Sequence, residues 1–341
     1  MDREPEELQF MGLFGIYKEA YKITVAWRKI FSQITLSLIL PLSFIYLAQI
    51  QISELILAKI DDSQEVEAHA TRGTSNFNRI HAHIVSEWIS FGIFKAIYLL
   101  FLLIFSLLST SAVVYTIACI YTSKDITFKK VISVVPKVWK RLMVTFLWNF
   151  FIMILYIFLA FLLMTSVFIL TLGRDGEGSW VNAFWVLLII IFIPYFIGFV
   201  YINVVWQLAS VVSVMEEIYG IKAMIKSVNL IKGKILISSF IFTKLQISFT
   251  AILIVFKILV VHGESLGMVR RVSLGIFFFL LLTIFIHFAL VIQTVIYFVC
   301  KSYHHQNIDK SDLAEHLEVY NLGDYVPLMR DKDVQLEQFH V

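Results

Sequence analysis

The feature that most restricts this chain is a set of six long apolar runs, at about residues 30–50, 89–121, 142–171, 181–215, 235–260 and 273–300. A helix that crosses a bilayer needs roughly 20 mostly apolar residues, and each run is long enough. Inside lipid every backbone N–H and C=O must be bonded within the protein, which leaves helices or closed barrels. These runs are solid rather than alternating, which argues against a barrel. Several exceed the minimum, so tilted helices or protruding ends are expected. Composition agrees: 59% of the residues are apolar, 16% are charged and 31 are Phe. A soluble domain is nearer half apolar and a quarter charged. The expected fold class is an all-α integral membrane protein with six transmembrane helices.

Basic residues set the expected orientation. If the N-terminus is cytosolic, 19 of the 28 Lys and Arg fall on the cytosolic side and six on the other. Lys95, Lys244 and Lys257 lie inside runs. Excess Lys and Arg mark cytosolic segments, so both termini are expected in the cytosol. Residues 1–29 are polar and amphipathic without a signal-peptide pattern, and the first spanning helix is expected to act as the insertion signal. The chain then divides into a cytosolic N-terminus with an amphipathic helix (1–29), a membrane domain (30–300) and an acidic cytosolic tail (301–341).

The stretch beginning at Thr127, TFKKVISVVPKVWKRLMVTFLWNFF, enters its apolar run as a basic amphipathic helix. Phe128, Val131, Ile132, Val135, Val138, Trp139 and Leu142 share one face, with Lys129, Lys137, Lys140 and Arg141 off it. Pro136 is expected to kink it between in-plane and spanning directions. A second such stretch carries Ile221, Met224, Ile225, Val228, Ile231 and Ile235, with Lys222, Lys226 and Lys232 off the stripe. A looser one runs from Leu13 to Ile30, with Lys18, Lys22 and Arg28 opposite. Each precedes two apolar runs, so the chain reads as three units of interfacial helix plus transmembrane hairpin. The basic faces suit anionic lipid headgroups, and packing on the cytosolic side accounts for the same pattern.

Three segments carry a resemblance: GIYKEAYKI from Gly15, DITFKKVISVVPKVWKRL from Asp125 and LGDYVPLMRDKDVQLEQ from Leu322. They resemble an uncharacterised plant family of multi-pass membrane proteins, some of which bear names calling them polyadenylate-binding-protein-binding proteins. More distantly, the three-unit pattern resembles bacterial membrane domains, including one attached to glycerophosphodiester phosphodiesterases. This chain has no room for that catalytic barrel, so the resemblance implies no such enzyme. Nor is there an RNA-binding signature, and no nucleic-acid partner is expected.

Candidate chemical motifs are sparse. Gly263–Gly267 reads G-E-S-L-G, the letters of a nucleophile elbow, but it falls in a short loop rather than a strand–turn–helix. His69, His81 and His83 share a long non-cytosolic loop with Asp61, Asp62, Glu65 and Glu67, without zinc-site spacing. The GRDGEG turn from Gly173 lacks the Lys-Ser/Thr of a phosphate-binding loop. Cys119 and Cys300 sit at cytosolic helix ends, where a disulfide is not expected. No enzyme activity and no cofactor are expected.

Polar residues inside runs include Asn149, Asn203, Gln207, Lys244, His287 and Gln293. Ionisable groups within a bilayer are expensive and mark functional sites. Lys244 and His287, with Asn203 and Gln207, are the candidate wall of a polar cavity open to the cytosol and able to hold an anion such as a lipid phosphate. Packing or snorkelling of Lys244 is the alternative. In the tail, Tyr325 and Leu328 fit a Tyr-x-x-apolar sorting signal for a trafficking adaptor. The chain is thus expected to interact with lipid, organise membrane or serve traffic. Transport of a small or anionic solute is the alternative.

Overall fold

The structure is a computed structural model describing residues 10–69, 75–122, 126–172, 179–216, 218–263 and 267–304. Among these there is no strand. A short helix α1 (Leu13–Ala26) leads into α2 (Arg28–Ile34) and a π-helical turn, Thr35–Ile39. Then come α3 (Leu40–His69), α4 (Ser75–Tyr121), α5 (Phe128–Leu172) and α6 (Ser179–Met215). A second short helix, α7 (Ile221–Ile231), precedes α8 (Ile235–Phe256), a π turn Lys257–Val261, and α9 (Met268–Tyr303). Six helical segments are long and apolar enough to cross a membrane, the first formed by α2, the π turn and α3 together. Fold and composition together fit an integral membrane protein.

The helices α3 and α4 extend well past the apolar runs that predicted them. With 30 and 47 residues they span about 45 and 70 Å at 1.5 Å per residue, against a hydrocarbon core of about 30 Å. The segment read as a long loop is therefore mostly two helices. Its residues are good helix formers (Glu, Gln, Leu, Ala) and carry apolar side chains at helical spacing. Ile60 and Ile84 are buried in it. Across the hairpin Lys59 pairs with Glu87 at 3.1 Å and His81 with Glu67 at 2.8 Å.

Helix α5 runs through Pro136 without interruption. Proline inside a helix removes one backbone bond and costs about 3 kcal/mol. Burial holds the helix on either side of the proline: Val131, Val134, Val135, Val138 and Leu142 all pack inside. Pro136 itself is exposed, and so is Ile132, whose carbonyl loses its partner. The defect therefore lies on the open side.

Burial is uneven along the bundle. Residues 112–120 of α4, 208–215 of α6 and 291–300 of α9 are buried without a break. They form the core where these three helices end. Small residues permit the close approach: Ala112, Thr116 and Ala118 on α4, Ser213 on α6 and Thr294 on α9. Thr145 on α5 accepts the Gly220 N–H at 2.8 Å and lies 2.7 Å from the Ser213 hydroxyl, tying α5, α6 and the turn before α7 together. The core is jacketed by α1, α2, the start of α5 and α7, which bury Ile16, Ile23, Phe31, Val135 and Leu230 among others. The other end is bare. Exposed large apolar side chains stop at Phe101 on α4 and Ile197 on α6, and on α9 none lies between Ile284 and Tyr303. Towards that bare end α5 and α6 hold chiefly each other. Tyr156 stacks on Tyr195 at 4.6 Å and donates its hydroxyl to the Tyr195 carbonyl at 2.6 Å. A Cβ on Gly198 would stand 2.6 Å from that hydroxyl.

Candidate functional site

A cavity of about 360 Å³ lies among α3, α4, α5, α6, α8 and α9. Its polar groups come from helical spacing. Asn203, Gln207 and Ser210 occupy successive turns of one face of α6, and Gln246 on α8 and Gln293 on α9 face them. Tyr46, Phe146, Trp206 and Phe249 supply aromatic wall. No charged residue lines the cavity among the described residues. Gln293 holds α9 to α6: its Nε2 donates to the Gln207 carbonyl at 2.7 Å and to the Ser210 hydroxyl at 2.6 Å. Asn203 donates to the Phe199 carbonyl at 2.8 Å. The side-chain amides of Gln207 and Gln246 make no hydrogen bond among the described residues. A smaller void of about 100 Å³ between α6 and α8 shares Asn203, Gln207, Phe242 and Gln246 with the cavity. Its outer wall includes Phe196 and Ile247, both exposed apolar side chains.

Of the four residues read as one anion site, the structure brings together only Asn203 and Gln207. His287 is buried in a different cluster. Its Nδ1 is 3.0 Å from the Thr35 hydroxyl and its Nε2 3.4 Å from that of Thr24, with Phe31 against its ring edge at 5.3 Å. Lys244 is exposed on α8, its ammonium 5.3 Å from the centre of the Tyr17 ring. Burial pushes the Tyr17 phenol up from its ordinary value, so Lys244 meets a neutral ring face. Helix rotation explains the split. Phe242, Leu245, Gln246 and Phe249 turn one face of α8 to the cavity, and Lys244 is about 200° from Phe242 at 100° per residue. Likewise Ile286, Ala289, Leu290 and Gln293 face it on α9, while His287 turns to α1 and α2.

The basic candidates cluster around the jacketed end. Lys129, Lys140 and Lys222 are exposed and Arg141 is half-buried, while the Lys137 side chain lies outside the described residues. Lys232 donates to Asn229 at 2.9 Å. Lys226 pairs with Glu216, which also accepts from the Tyr297 hydroxyl at 2.9 Å and lies 3.6 Å from Lys301. Glu216 was missed by sequence reasoning; its signal is a carboxylate at the very end of an apolar run. Lys257 and Lys95 are not free at their surface: Lys257 pairs with Glu54 at 2.6 Å and Lys95 donates to the Ser53 hydroxyl at 2.8 Å. Both cysteines are buried. The Asn149 Oδ1 is buried without a partner among the described residues. Tyr325, Leu328, the GRDGEG turn and the centre of the G-E-S-L-G loop lie outside the described residues.

Six long apolar helices fit a multi-pass membrane protein. It belongs to the family described as Domain of unknown function DUF8558, whose model matches residues 1–339. No curated protein and no solved structure matches it.

Proposed function

We propose that this is a non-enzymatic integral membrane protein that works on lipid, binding it within the bilayer and organising the membrane around it. The observation that carries the reading is the shared wall between the cavity and the α6/α8 void. Through Phe196 and Ile247 the void reaches the exposed apolar surface, where a lipid would be met. In this reading α1, the start of α5 and α7 are three amphipathic helices, each preceding a transmembrane hairpin, at a cytosolic face. Lys129, Lys140, Lys222 and their neighbours there meet anionic headgroups. Both termini are cytosolic, and Tyr325 and Leu328 recruit a trafficking adaptor. A second reading, transport of a small solute, draws on the same amides.

Two measurements separate them. Lipids retained by the purified protein are identified by mass spectrometry, and solute flux is followed in liposomes. Lipid binding predicts a retained class distinct from the bulk membrane and no flux above empty liposomes. Saturable flux abolished by Gln207→Leu would overturn the lipid reading.

A further inference from the structure

We propose that the cavity takes the head of an uncharged, hydroxyl-bearing lipid of the glyceride type, entering sideways between α6 and α8. The inference rests on the lipid-binding reading above and names the ligand class of that site. Its first support is that no charged residue among the described ones lines the cavity. A phosphate brought into a bilayer interior needs a cation or several donors around it. Lys244, the cation nearest in sequence to the α8 wall, points away and rests on Tyr17. The second support is the pair of free amides. Gln207 and Gln246 each offer a donor and an acceptor to the same space and have no partner among the described residues. Gln207 is half-buried and Gln246 exposed, so both amides are open to a molecule arriving from the side. In an apolar surrounding a polar partner for them is favoured. A hydroxyl both donates and accepts, and ester carbonyls accept, which matches this pair of amides. The third support is shape. About 360 Å³ is the lower range of small-molecule pockets. It suits a compact head, with the chains leaving along Phe196 and Ile247 into the surrounding lipid.

The test uses the full chain in phosphatidylcholine nanodiscs with a photoactivatable diacylglycerol whose diazirine lies near the head. Crosslinks are mapped by peptide mass spectrometry. They are expected at residues 196–210 and 242–249, and unlabelled diacylglycerol is expected to suppress them. Phosphatidic acid and a sterol at the same mole fraction should leave them in place. The double variant Gln207→Leu, Gln246→Leu removes two hydrogen bonds to the head and should lower cavity labelling about tenfold. Neither amide bonds the protein, so its elution and melting temperature should stay near those of the parent. Lys244→Gln should leave labelling unchanged. Equal competition by phosphatidic acid, or lost labelling in Lys244→Gln, overturns the neutral head while lipid binding stands. Competition by the sterol alone overturns the glyceride class. Labelling spread evenly over the outer faces of α5 and α6 means bulk lipid contact and removes the site. Saturable solute flux abolished by the double variant brings down this inference and the lipid reading together.

Discussion

Among the described residues, two glycines carry a backbone that other residues rarely adopt. Gly220 and Gly233 have φ of 64° and 88°, in turns that bracket α7 and aim α8 into the bundle. At Gly233 a Cβ would also stand 2.3 Å from the Tyr303 ring at the end of α9. Gly233→Ala is therefore expected to destabilise the protein by about 1–2 kcal/mol from backbone strain alone, with the ring displacement adding to it. Melting of the detergent-solubilised protein checks this, with Gly267→Ala as control, since nothing lies within 4 Å of a Cβ there. Equal melting of both variants would remove the argument. Thr145 is a second such point: its hydroxyl is the partner of the buried Gly220 N–H. Thr145→Val strands that donor, an expected loss of about 1–3 kcal/mol, whereas Thr165→Val on the exposed part of α5 should have little effect. Neither role was legible from residue type, because a threonine in an apolar run looks the same whether it bonds its own helix or a neighbour's turn.

Elements are where burial overrode local preference. Pro136 reads as a kink in sequence, and α5 stays helical through it with the flanking valines held in the core. The proline is then a local defect, and Pro136→Ala is expected to raise stability by about 1–3 kcal/mol by restoring the backbone bond to Ile132. A fall in melting temperature would instead show that the fold depends on proline geometry there. The helix α7 shows a related override. Of the stripe read in sequence, Met224 and Ile231 are buried, but Ile221 and Ile225 are exposed, while Ala223, Ser227 and Leu230 take the inner positions. The packed face is rotated from the most apolar face. That leaves isoleucines beside the exposed Lys222, where apolar side chains next to a cation suit a lipid headgroup boundary.

On the scale of the whole molecule, exposure divides the bundle into a jacketed end and a bare apolar end. The basic residues Lys18, Lys22, Lys129, Lys140 and Lys222 are all exposed on elements of the jacket. If that end is the cytosolic face, tags on both termini are digested together in sealed vesicles with the cytosolic side out; protection of either tag contradicts the orientation. The charge asymmetry also predicts lipid selectivity. Each Lys near an anionic surface contributes about 1 kcal/mol. The combined Lys129→Gln, Lys140→Gln and Lys222→Gln variant is therefore expected to retain less anionic lipid at low salt. The difference should fade at high salt. Retention unchanged by both substitution and salt leaves packing as the whole explanation of the basic helices.

Class and segment count were determined by the sequence alone, because twenty apolar residues in a row is a local property that nearly any packing must respect. The runs near 142–171 and 273–300 became the cores of α5 and α9 with little ambiguity. Which side of each helix meets which neighbour was decided only by tertiary structure. In water a helix shows its buried side by hydropathy; in lipid an acyl chain and a packed leucine are equally apolar, so rotation leaves little trace. Depth along the chain pointed to Lys244, His287, Asn203 and Gln207 as one group. Rotation separated them, turning Gln207 towards Gln246 and Gln293 while sending His287 to Thr35 and Lys244 to Tyr17. The cavity is a consequence of those rotations, set by small residues that let α4, α6 and α9 close at one end and by amides that meet where α6 and α8 part.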